Sequence, residues 1–141
     1  MTRNVTALAR FYRAITGITP VGSDDYVEFA HGDSVLALCS QEAMELFGAG
    51  AAIPASNRTV VIDFEVVDVD VERARLEPLV GAFVQEPVDQ PWGTRSMLFR
   101  DPDGNLIQFF ARLTRGGGIG PPPERSRAGE RWKGGTHGDG D

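Results

Sequence analysis

The sequence has few of the residues that build covalent or metal-based sites. Its 141 residues include one cysteine, Cys39, and two histidines, His31 and His137. A single cysteine forms no disulfide within the chain, and Cys39 lies in an apolar run, so it is predicted to be a buried small hydrophobic residue. His31 stands beside Gly32 in an expected turn, and we interpret both histidines as solvated surface residues.

Long apolar runs and the common catalytic motifs are also absent from the sequence. No run approaches the roughly 20 residues that cross a bilayer, and no charged-then-apolar leader opens the chain, so we expect a soluble cytoplasmic protein. The sequence lacks a Ser-His-Asp set, a glycine-rich phosphate loop and CxxC spacing, and therefore gives no support to nucleophilic catalysis, phosphoryl transfer or a zinc ribbon.

Lysine is missing from the first 114 residues, where nine arginines face sixteen aspartates and glutamates. A domain of this acidity repels nucleic acid and anionic membranes and favours cationic partners. We therefore expect neither nucleic acid nor a membrane among its partners.

The first part of the chain reads as a helix followed by short strands. Leu8, Phe11, Tyr12 and Ile15 recur at helical spacing, with Asn4 or Thr6 as the N-cap and Gly17 as the end. The predicted elements are a helix from Val5 to Gly17, strands at Ile18–Val21, Tyr26–Ala30 and Ser34–Ser40, a helical turn at Glu42–Phe47 and a flexible connector at 48–58.

The second part repeats this order after an opening strand. Thr59–Val67 alternates, with Asp63 and Glu65 on the face opposite Phe64. Asp68 or Asp70 should cap a helix that passes Leu79 and ends at Gly81, with Pro78 bending or shortening its last turn. The strands Ser96–Arg100 and Asn105–Phe110 flank an Asp101–Gly104 turn and predict a hairpin.

The two parts form an internal repeat at an offset of 64 residues. Asn4-Val5 matches Asp68-Val69, and Gly17 matches Gly81. The first unit, residues 1–47, lacks the opening strand that the second unit, residues 59–114, has. We expect either that the natural chain starts further upstream or that a partner supplies the strand, as in a strand-exchanged dimer.

Residues 115–141 are rich in glycine, proline and charge. Such a segment buries too little apolar surface to offset the entropy lost on ordering, so we predict a disordered tail. Trp132, in its middle, is interpreted as a stray aromatic residue rather than a partner anchor.

The run WGTRSMLFRDPDGNLIQFF resembles the C-terminal hairpin of the vicinal oxygen chelate superfamily, which includes glyoxalases, extradiol dioxygenases and bleomycin-resistance proteins. FEVVDVD and ARFYRAITG extend the resemblance over Asn4 to Leu113. It implies an α+β fold in which paired βαβββ modules form a cupped mixed sheet around a central cavity, with the first strand of module one missing from this chain.

Metal-dependent members of that superfamily bind a divalent ion through the first and last strand of each module. The resemblance places these positions at Val61, at Gln108, at Leu36 or Leu38, and in the missing strand. Divalent first-row ions prefer imidazole, carboxylate or thiolate ligands, and Gln108 is only a neutral oxygen donor. We therefore expect no metal and no other cofactor, with Gln108 as a vestigial ligand position.

Strand alternation and the resemblance together predict the walls of the cavity. Asp63 and Glu65 either lie near solvent or line the cavity, where two carboxylates would favour a cationic ligand. Trp92, unless it is a core residue, offers a stacking surface. The predicted ligand-binding residues are Asp63, Glu65, Trp92, Ser96, Leu98, Gln108 and Phe110, and no catalytic residue is predicted.

Three functions remain open from the sequence. The first is a non-catalytic protein, similar to the bleomycin-resistance branch, that binds a small and possibly cationic molecule without a metal, with a homodimer as the expected assembly. The second is a lyase, isomerase or dioxygenase of the glyoxalase or extradiol type with a divalent metal cofactor. The third is a dimeric interaction module whose interface matters more than any pocket.

Overall fold

Two helix-and-strand units follow one another along the chain. The computed structural model describes residues 1–113, apart from the side chain of Phe47. The elements in chain order are α1 (Val5–Thr16), β1 (Val21–Gly22), β2 (Tyr26–His31), β3 (Ser34–Cys39), α2 (Gln41–Gly48), β4 (Val61–Glu65), α3 (Val69–Leu76), β5 (Phe83–Asp89), β6 (Thr94–Arg100) and β7 (Leu106–Arg112). Among these helices, none is both long and apolar enough to cross a membrane. The predicted tail, with Trp132 and His137, lies outside the described residues.

Helix α1 begins and ends at residues with the expected capping chemistry. The side chain of Asn4, not Thr6, accepts a hydrogen bond from the Ala7 N–H at 2.9 Å, which satisfies one of the N–H groups left free at a helix start. At the other end Gly17 adopts a left-handed φ of 72°, and its N–H donates to the Arg13 carbonyl. The predicted helix is therefore confirmed, with Gly17 as its cap.

Strands β1, β2 and β3 form an antiparallel sheet with β3 at one edge. The register of β2 and β3 runs from Tyr26 opposite Cys39 to His31 opposite Ser34. Cys39 is buried, as predicted. The predicted strand Ile18–Val21 is wrong in its bounds, because only Val21 and Gly22 pair with β2.

Strands β4 to β7 form the second sheet, in the order β4-β7-β6-β5, with β4 parallel to β7 and the other pairs antiparallel. The predicted hairpin is confirmed as β6 and β7, around a turn in which Gly104 has φ 83° and donates its N–H to the Asp101 carbonyl. The predicted strand Thr59–Val67 is shorter than expected, because β4 pairs with β7 only from Val61 to Glu65.

Helix α3 ends earlier than predicted. Asp68 caps its start by accepting from the N–H groups of Asp70 and Val71. The helix stops at Leu76 rather than near Gly81, and a turn follows in which the Leu79 N–H donates to the Leu76 carbonyl. Pro78 has no N–H and so cannot continue the helical ladder.

The short helix α2 confirms the helical turn predicted after β3. Ser40 caps it by accepting from the Ala43 N–H at 3.0 Å, and the helix runs from Gln41 to Gly48.

One hydrophobic core joins the two sheets through α1. The Tyr12 ring lies 6.1 Å from the ring of Phe29 in the first sheet, and the Phe11 ring lies 6.5 Å from that of Phe99 in the second. The largest fully buried apolar side chains are Tyr12, Phe99, Phe109, Leu76, Met97, Ile107 and Val69. Because α1 contacts both sheets, residues 1–113 share a single core.

The internal repeat extends to individual backbone hydrogen bonds. In the second unit the Val66 N–H donates to the Phe110 carbonyl at 2.8 Å, just after the parallel ladder of β4 and β7. In the first unit the Thr2 N–H donates to the Cys39 carbonyl at 2.9 Å, and Thr2 forms an isolated parallel bridge with Ser40. Thr2 and Val66 are separated by the 64 residues of the repeat, so Thr2 stands where the opening strand of the first unit would end.

Candidate functional site

Within residues 1–113, one face of the four-stranded sheet is open. Strand register places Asp63 opposite Gln108 and Glu65 opposite Phe110, while Gln108 also faces Leu98. Residues paired across neighbouring strands lie on the same side of a sheet. The members of this open face are Val61, Asp63, Glu65, Ser96, Leu98, Leu106, Gln108 and Phe110. The other side of the sheet carries the buried side chains of the core.

Gln108 lies at the centre of the open face, between Asp63 on β4 and Leu98 on β6. Its amide offers both a donor and an acceptor, and it is half-buried, as is Leu98, whereas Asp63 is exposed. A carboxylate, an amide and an apolar side chain therefore form one row across three strands. Such a row can bind a molecule that carries a positive charge, a hydrogen-bonding group and an apolar part.

The two carboxylates of the open face have different surroundings. Glu65 accepts from Arg112 Nε at 2.9 Å, with both side chains about half exposed. Asp63 takes part in none of the salt bridges within residues 1–113. The uncompensated negative charge of the face is therefore that of Asp63.

Two of the predicted site residues lie apart from this row. Ser96 is only 2% exposed, and its Oγ accepts from Gln90 Nε2 at 3.0 Å, so the Gln90 side chain engages the hydroxyl. Trp92 lies in the turn between β5 and β6 and is 70% exposed. The alternative interpretation of Trp92 as a core residue is therefore wrong, and its indole can meet a ligand from solvent.

The metal positions implied by the resemblance can be assigned from the hydrogen-bond pattern. Since Cys39 and Phe110 accept the equivalent backbone bonds, Ala37 is the counterpart of Gln108, each being two residues earlier. The expectation that Leu36 or Leu38 occupies this place is corrected, because Leu38 is buried in the core and Leu36 packs against it. A strand alternates its side chains, so neither can share a face with Ala37.

The side chains at these positions do not fit a divalent metal ion. Val61 and Ala37 have no ligating atom, and Gln108 has one neutral amide oxygen. Residues 1–113 contain no group of three or more His, Cys, Asp or Glu side chains placed to hold an ion. No chemical step is therefore assigned to a metal at this site.

Tyr26 and Glu28 form a polar pair that sequence reasoning missed. Glu28 on β2 is paired with Ala37 on β3. Because Ala37 is the counterpart of Gln108, Glu28 is the counterpart of Leu98, which is paired with Gln108 in the second unit. The Tyr26 hydroxyl donates to Glu28 Oε1 at 2.9 Å, and this carboxylate raises the pKa of Tyr26. The alternation in YVEFAH would have revealed a second acidic position at an equivalent site.

A cavity of ≈ 860 Å³ lies between the two sheets, at the edges of β3 and β4. Phe29, Leu36, Phe64 and Phe109 contribute its apolar wall, and Asp63 is among the polar residues lining it. Of the predicted site residues, only Asp63 and Glu65 line this cavity. Ser96, Leu98, Gln108 and Phe110 lie on the open face alone, whereas Asp63 and Glu65 of β4 belong to that face and also border the cavity.

Sequence comparison identifies one family. A model of the Glyoxalase/Bleomycin resistance protein/Dioxygenase superfamily matches residues 1–109. A search of curated proteins gives no significant match.

Solved structures with the same fold support this assignment. A glyoxalase/bleomycin resistance protein/dioxygenase from Nocardioides is 27% identical, with a TM-score of 0.64 and coverage of 84% of each chain. A family enzyme from Burkholderia phytofirmans PsJN is 20% identical, with a TM-score of 0.70 and coverage of 79% of this chain and 93% of that one. A lactoylglutathione lyase from Agrobacterium tumefaciens is 24% identical, with a TM-score of 0.61 and coverage of 78% and 87%. The Burkholderia and Agrobacterium structures are less than 25% identical to this chain, and their similarity shows only that the fold is shared.

Proposed function

The chain belongs to the glyoxalase/bleomycin resistance protein/dioxygenase superfamily, and from this premise we propose that it binds a small organic cation on the open face without a metal ion. The observation that carries the proposal is the row of Asp63, Gln108 and Leu98 across three neighbouring strands. Binding, rather than catalysis, is the proposed activity.

The chemistry of the row defines the ligand class. Asp63 supplies a negative charge that no described residue neutralises, and Gln108 can donate to and accept from a polar group. Val61, Leu98 and Phe110 provide apolar surface around them. A molecule with a cationic group beside an aromatic or aliphatic part matches this arrangement, as in drug-like amines and cationic glycopeptides.

The absence of a metal from the proposal rests on side-chain chemistry. A metal-dependent lyase, isomerase or dioxygenase needs several imidazole, carboxylate or thiolate ligands around one ion. Val61 and Ala37 occupy two of the implied positions and cannot ligate. Metal-dependent catalysis is the alternative function, and a loss of ligand binding in EDTA would support it.

Fluorescence titration tests the proposal. Trp92 is two residues from Gln90, whose side chain contacts Ser96 at the border of the open face, so its emission should report binding. A Trp132→Phe variant removes the second indole from the signal. We expect a panel of organic cations to include ligands that change the Trp92 emission at saturation, in the presence of EDTA.

A matched pair of charge variants shows whether the open face is the site. Asp63→Asn should weaken cation binding by about two- to fivefold, the range for one exposed charge pair. Asp33→Asn, in the exposed turn between β2 and β3, removes the same charge elsewhere and should leave affinity unchanged. No response across a broad panel, or equal effects of the two variants, would contradict the proposal.

A further inference from the structure

The cavity between the two sheets is lined largely by side chains that point away from the open face. Successive side chains of a strand alternate sides, so Phe64 points opposite to Asp63 on β4, and Phe109 points opposite to Gln108 on β7. Both phenylalanines line the cavity. The cavity therefore lies behind the row of Asp63, Gln108 and Leu98 and meets the open face along β4.

The wall of the cavity is apolar and is held in place by the core. Phe29 is 2% exposed and Phe109 is 1% exposed, while Leu36 and Phe64 pack against the core and are only partly buried. The rings of Phe64 and Phe109 lie 5.7 Å apart. The cavity volume of ≈ 860 Å³ falls within the roughly 300–1,000 Å³ of small-molecule sites. An apolar group that enters this space would meet a preformed wall of aromatic and aliphatic side chains.

The charge at the rim of the cavity selects the head group of a ligand. Arg75 lines the cavity, but its guanidinium already donates to the carbonyls of Ala14 and Ile15 and to the carboxylate of Glu72. Asp63 also lines the cavity and forms no salt bridge within residues 1–113. A cationic head group is therefore favoured at the rim, and an anionic one, such as a fatty-acid carboxylate, is disfavoured.

Asp63 connects the open face to the cavity. It is paired with Gln108 across β4 and β7, and it also lines the cavity together with its neighbour Phe64. One molecule can therefore place a charged group against Asp63 and an apolar group against the wall behind it. A compact cation could contact only the first of these two surfaces.

We infer that the cavity binds the apolar tail of an amphiphilic organic cation whose charged head contacts Asp63. The ligand class is an amine or a quaternary ammonium ion with an extended alkyl or arylalkyl chain. The inference rests on the proposed function, to which it adds the shape of the ligand and a second contact surface between β3 and β4.

A series of n-alkyltrimethylammonium ions, from methyl to decyl, tests the inference on the full chain. Calorimetry measures each affinity below the critical micelle concentration. Each methylene that enters the cavity should tighten binding by about two- to fourfold, as partial to complete burial of a CH₂ group produces. A neutral alkanol of equal chain length should bind about two- to fivefold more weakly than the ammonium ion, because it lacks the charge contact with Asp63.

NMR of leucine methyl groups locates the two parts of the ligand without any substitution. Leu36 belongs to the cavity wall, and Leu98 is paired with Gln108 on the open face. Tetramethylammonium should shift the methyl signals of Leu98 alone, whereas decyltrimethylammonium should shift those of both residues.

A matched pair of substitutions obstructs the cavity. Ser34 is exposed and lines the cavity, whereas Val35 is exposed on the opposite side of β3. Ser34→Trp should weaken decyltrimethylammonium binding by about tenfold, equivalent to roughly two methylenes left in water, and should leave tetramethylammonium binding unchanged. Val35→Trp adds the same ring away from the cavity and should alter neither affinity.

The outcomes separate this inference from the proposed function. If affinity does not rise with chain length, if the Leu36 methyl signals do not respond, or if Ser34→Trp and Val35→Trp have equal effects, the inference is overturned while cation binding on the open face stands. If affinity rises with chain length but Asp63→Asn changes no affinity, the proposed cation site is wrong and the cavity binds the tail alone. Binding of no member of the series overturns both.

Discussion

The Tyr12 hydroxyl donates a hydrogen bond of 2.9 Å to Asp101 Oδ2, across 89 positions of sequence. Tyr12 belongs to α1 in the first unit, and Asp101 begins the β6–β7 turn in the second. The same carboxylate also accepts from the N–H groups of Asp103 and Asn105 and from the Asn105 side-chain amide. One buried side chain therefore shapes the hairpin turn and ties the first unit to it.

Removal of this link should destabilise the protein. Tyr12→Phe keeps the ring but leaves the buried Asp101 carboxylate one donor short, which costs about 1–3 kcal/mol of unfolding free energy. Urea denaturation at neutral pH measures the loss. Tyr26→Phe also removes a hydroxyl bonded to a carboxylate, but an exposed one, and should have a smaller effect. Equal losses in the two variants would contradict the assigned role of Asp101.

The same pair predicts a decline in stability at high pH. Burial, followed by the charge and hydrogen bond of Asp101, raises the pKa of Tyr12 above its ordinary value of 10.0. A raised pKa in the folded state contributes stability that is complete below pH 10 and diminishes above it, where the unfolded chain loses the phenolic proton first. The stability difference between wild type and Tyr12→Phe should shrink from pH 8 to pH 11 in urea titrations. A constant difference would show that the phenol titrates equally in both states.

Acid should weaken a second set of contacts, on the outer side of α3. Hydrogen bonding to Arg95 lowers the pKa of Asp70, and hydrogen bonding to Arg73 lowers that of Glu86. A lowered folded-state pKa gives stability that is present above the ordinary values of 3.8 and 4.5 and is lost as pH falls through the folded values. All four side chains are solvent-accessible, so the effect is small and sensitive to salt.

Substitution of Arg95 isolates one of these contacts. Arg95 bonds Asp70 with two nitrogens and Asp89 with a third. Arg95→Met should lower the melting temperature at pH 7 and low salt. The difference in melting temperature from wild type should narrow in about 0.5 M salt, because the screening length there falls to roughly 3–8 Å and the ion pairs weaken. Arg10→Met, at an exposed position outside the salt bridges of residues 1–113, should change little. A loss that does not respond to salt would point to packing instead of charge.

Donor atoms placed at the vestigial positions should create metal affinity. Val61 and Gln108 lie on the same face of adjacent parallel strands. A Val61→His, Gln108→Glu double variant supplies an imidazole and a carboxylate, and calorimetry should detect Ni²⁺ or Zn²⁺ binding that Val61→Ala lacks. If the wild type binds these ions as tightly as the double variant, the assignment of vestigial positions is wrong.

Local chemistry explains why much of the fold could be predicted. Asn4 and Gly17 define α1, the Asp101–Gly104 turn defines the hairpin, and the alternation around Phe64 defines β4. The end of α3 was predicted too far along the chain, because the sequence does not show at which residue Pro78 ends the helix. In the fold the Leu76 carbonyl accepts from the Leu79 N–H, and the helical hydrogen bonds stop there.

The candidate site was predicted only in part, because its geometry depends on pairing between distant segments. Period-two alternation was sufficient to group Asp63 and Glu65, but Ala37 required the register that links β3 to the Thr2 hydrogen bond. The contact between Gln90 and Ser96 depends on the shape of a loop, and no periodic pattern encodes it.

The most direct test of the account is one titration of the Trp132→Phe protein with an organic cation, performed with EDTA and with added Ni²⁺ or Zn²⁺, alongside metal analysis of the purified sample. The account predicts the same affinity in both solutions, a two- to fivefold loss in Asp63→Asn on the scale of a single exposed charge pair, and no stoichiometric metal. A bound transition metal whose removal by EDTA abolishes ligand binding would contradict it.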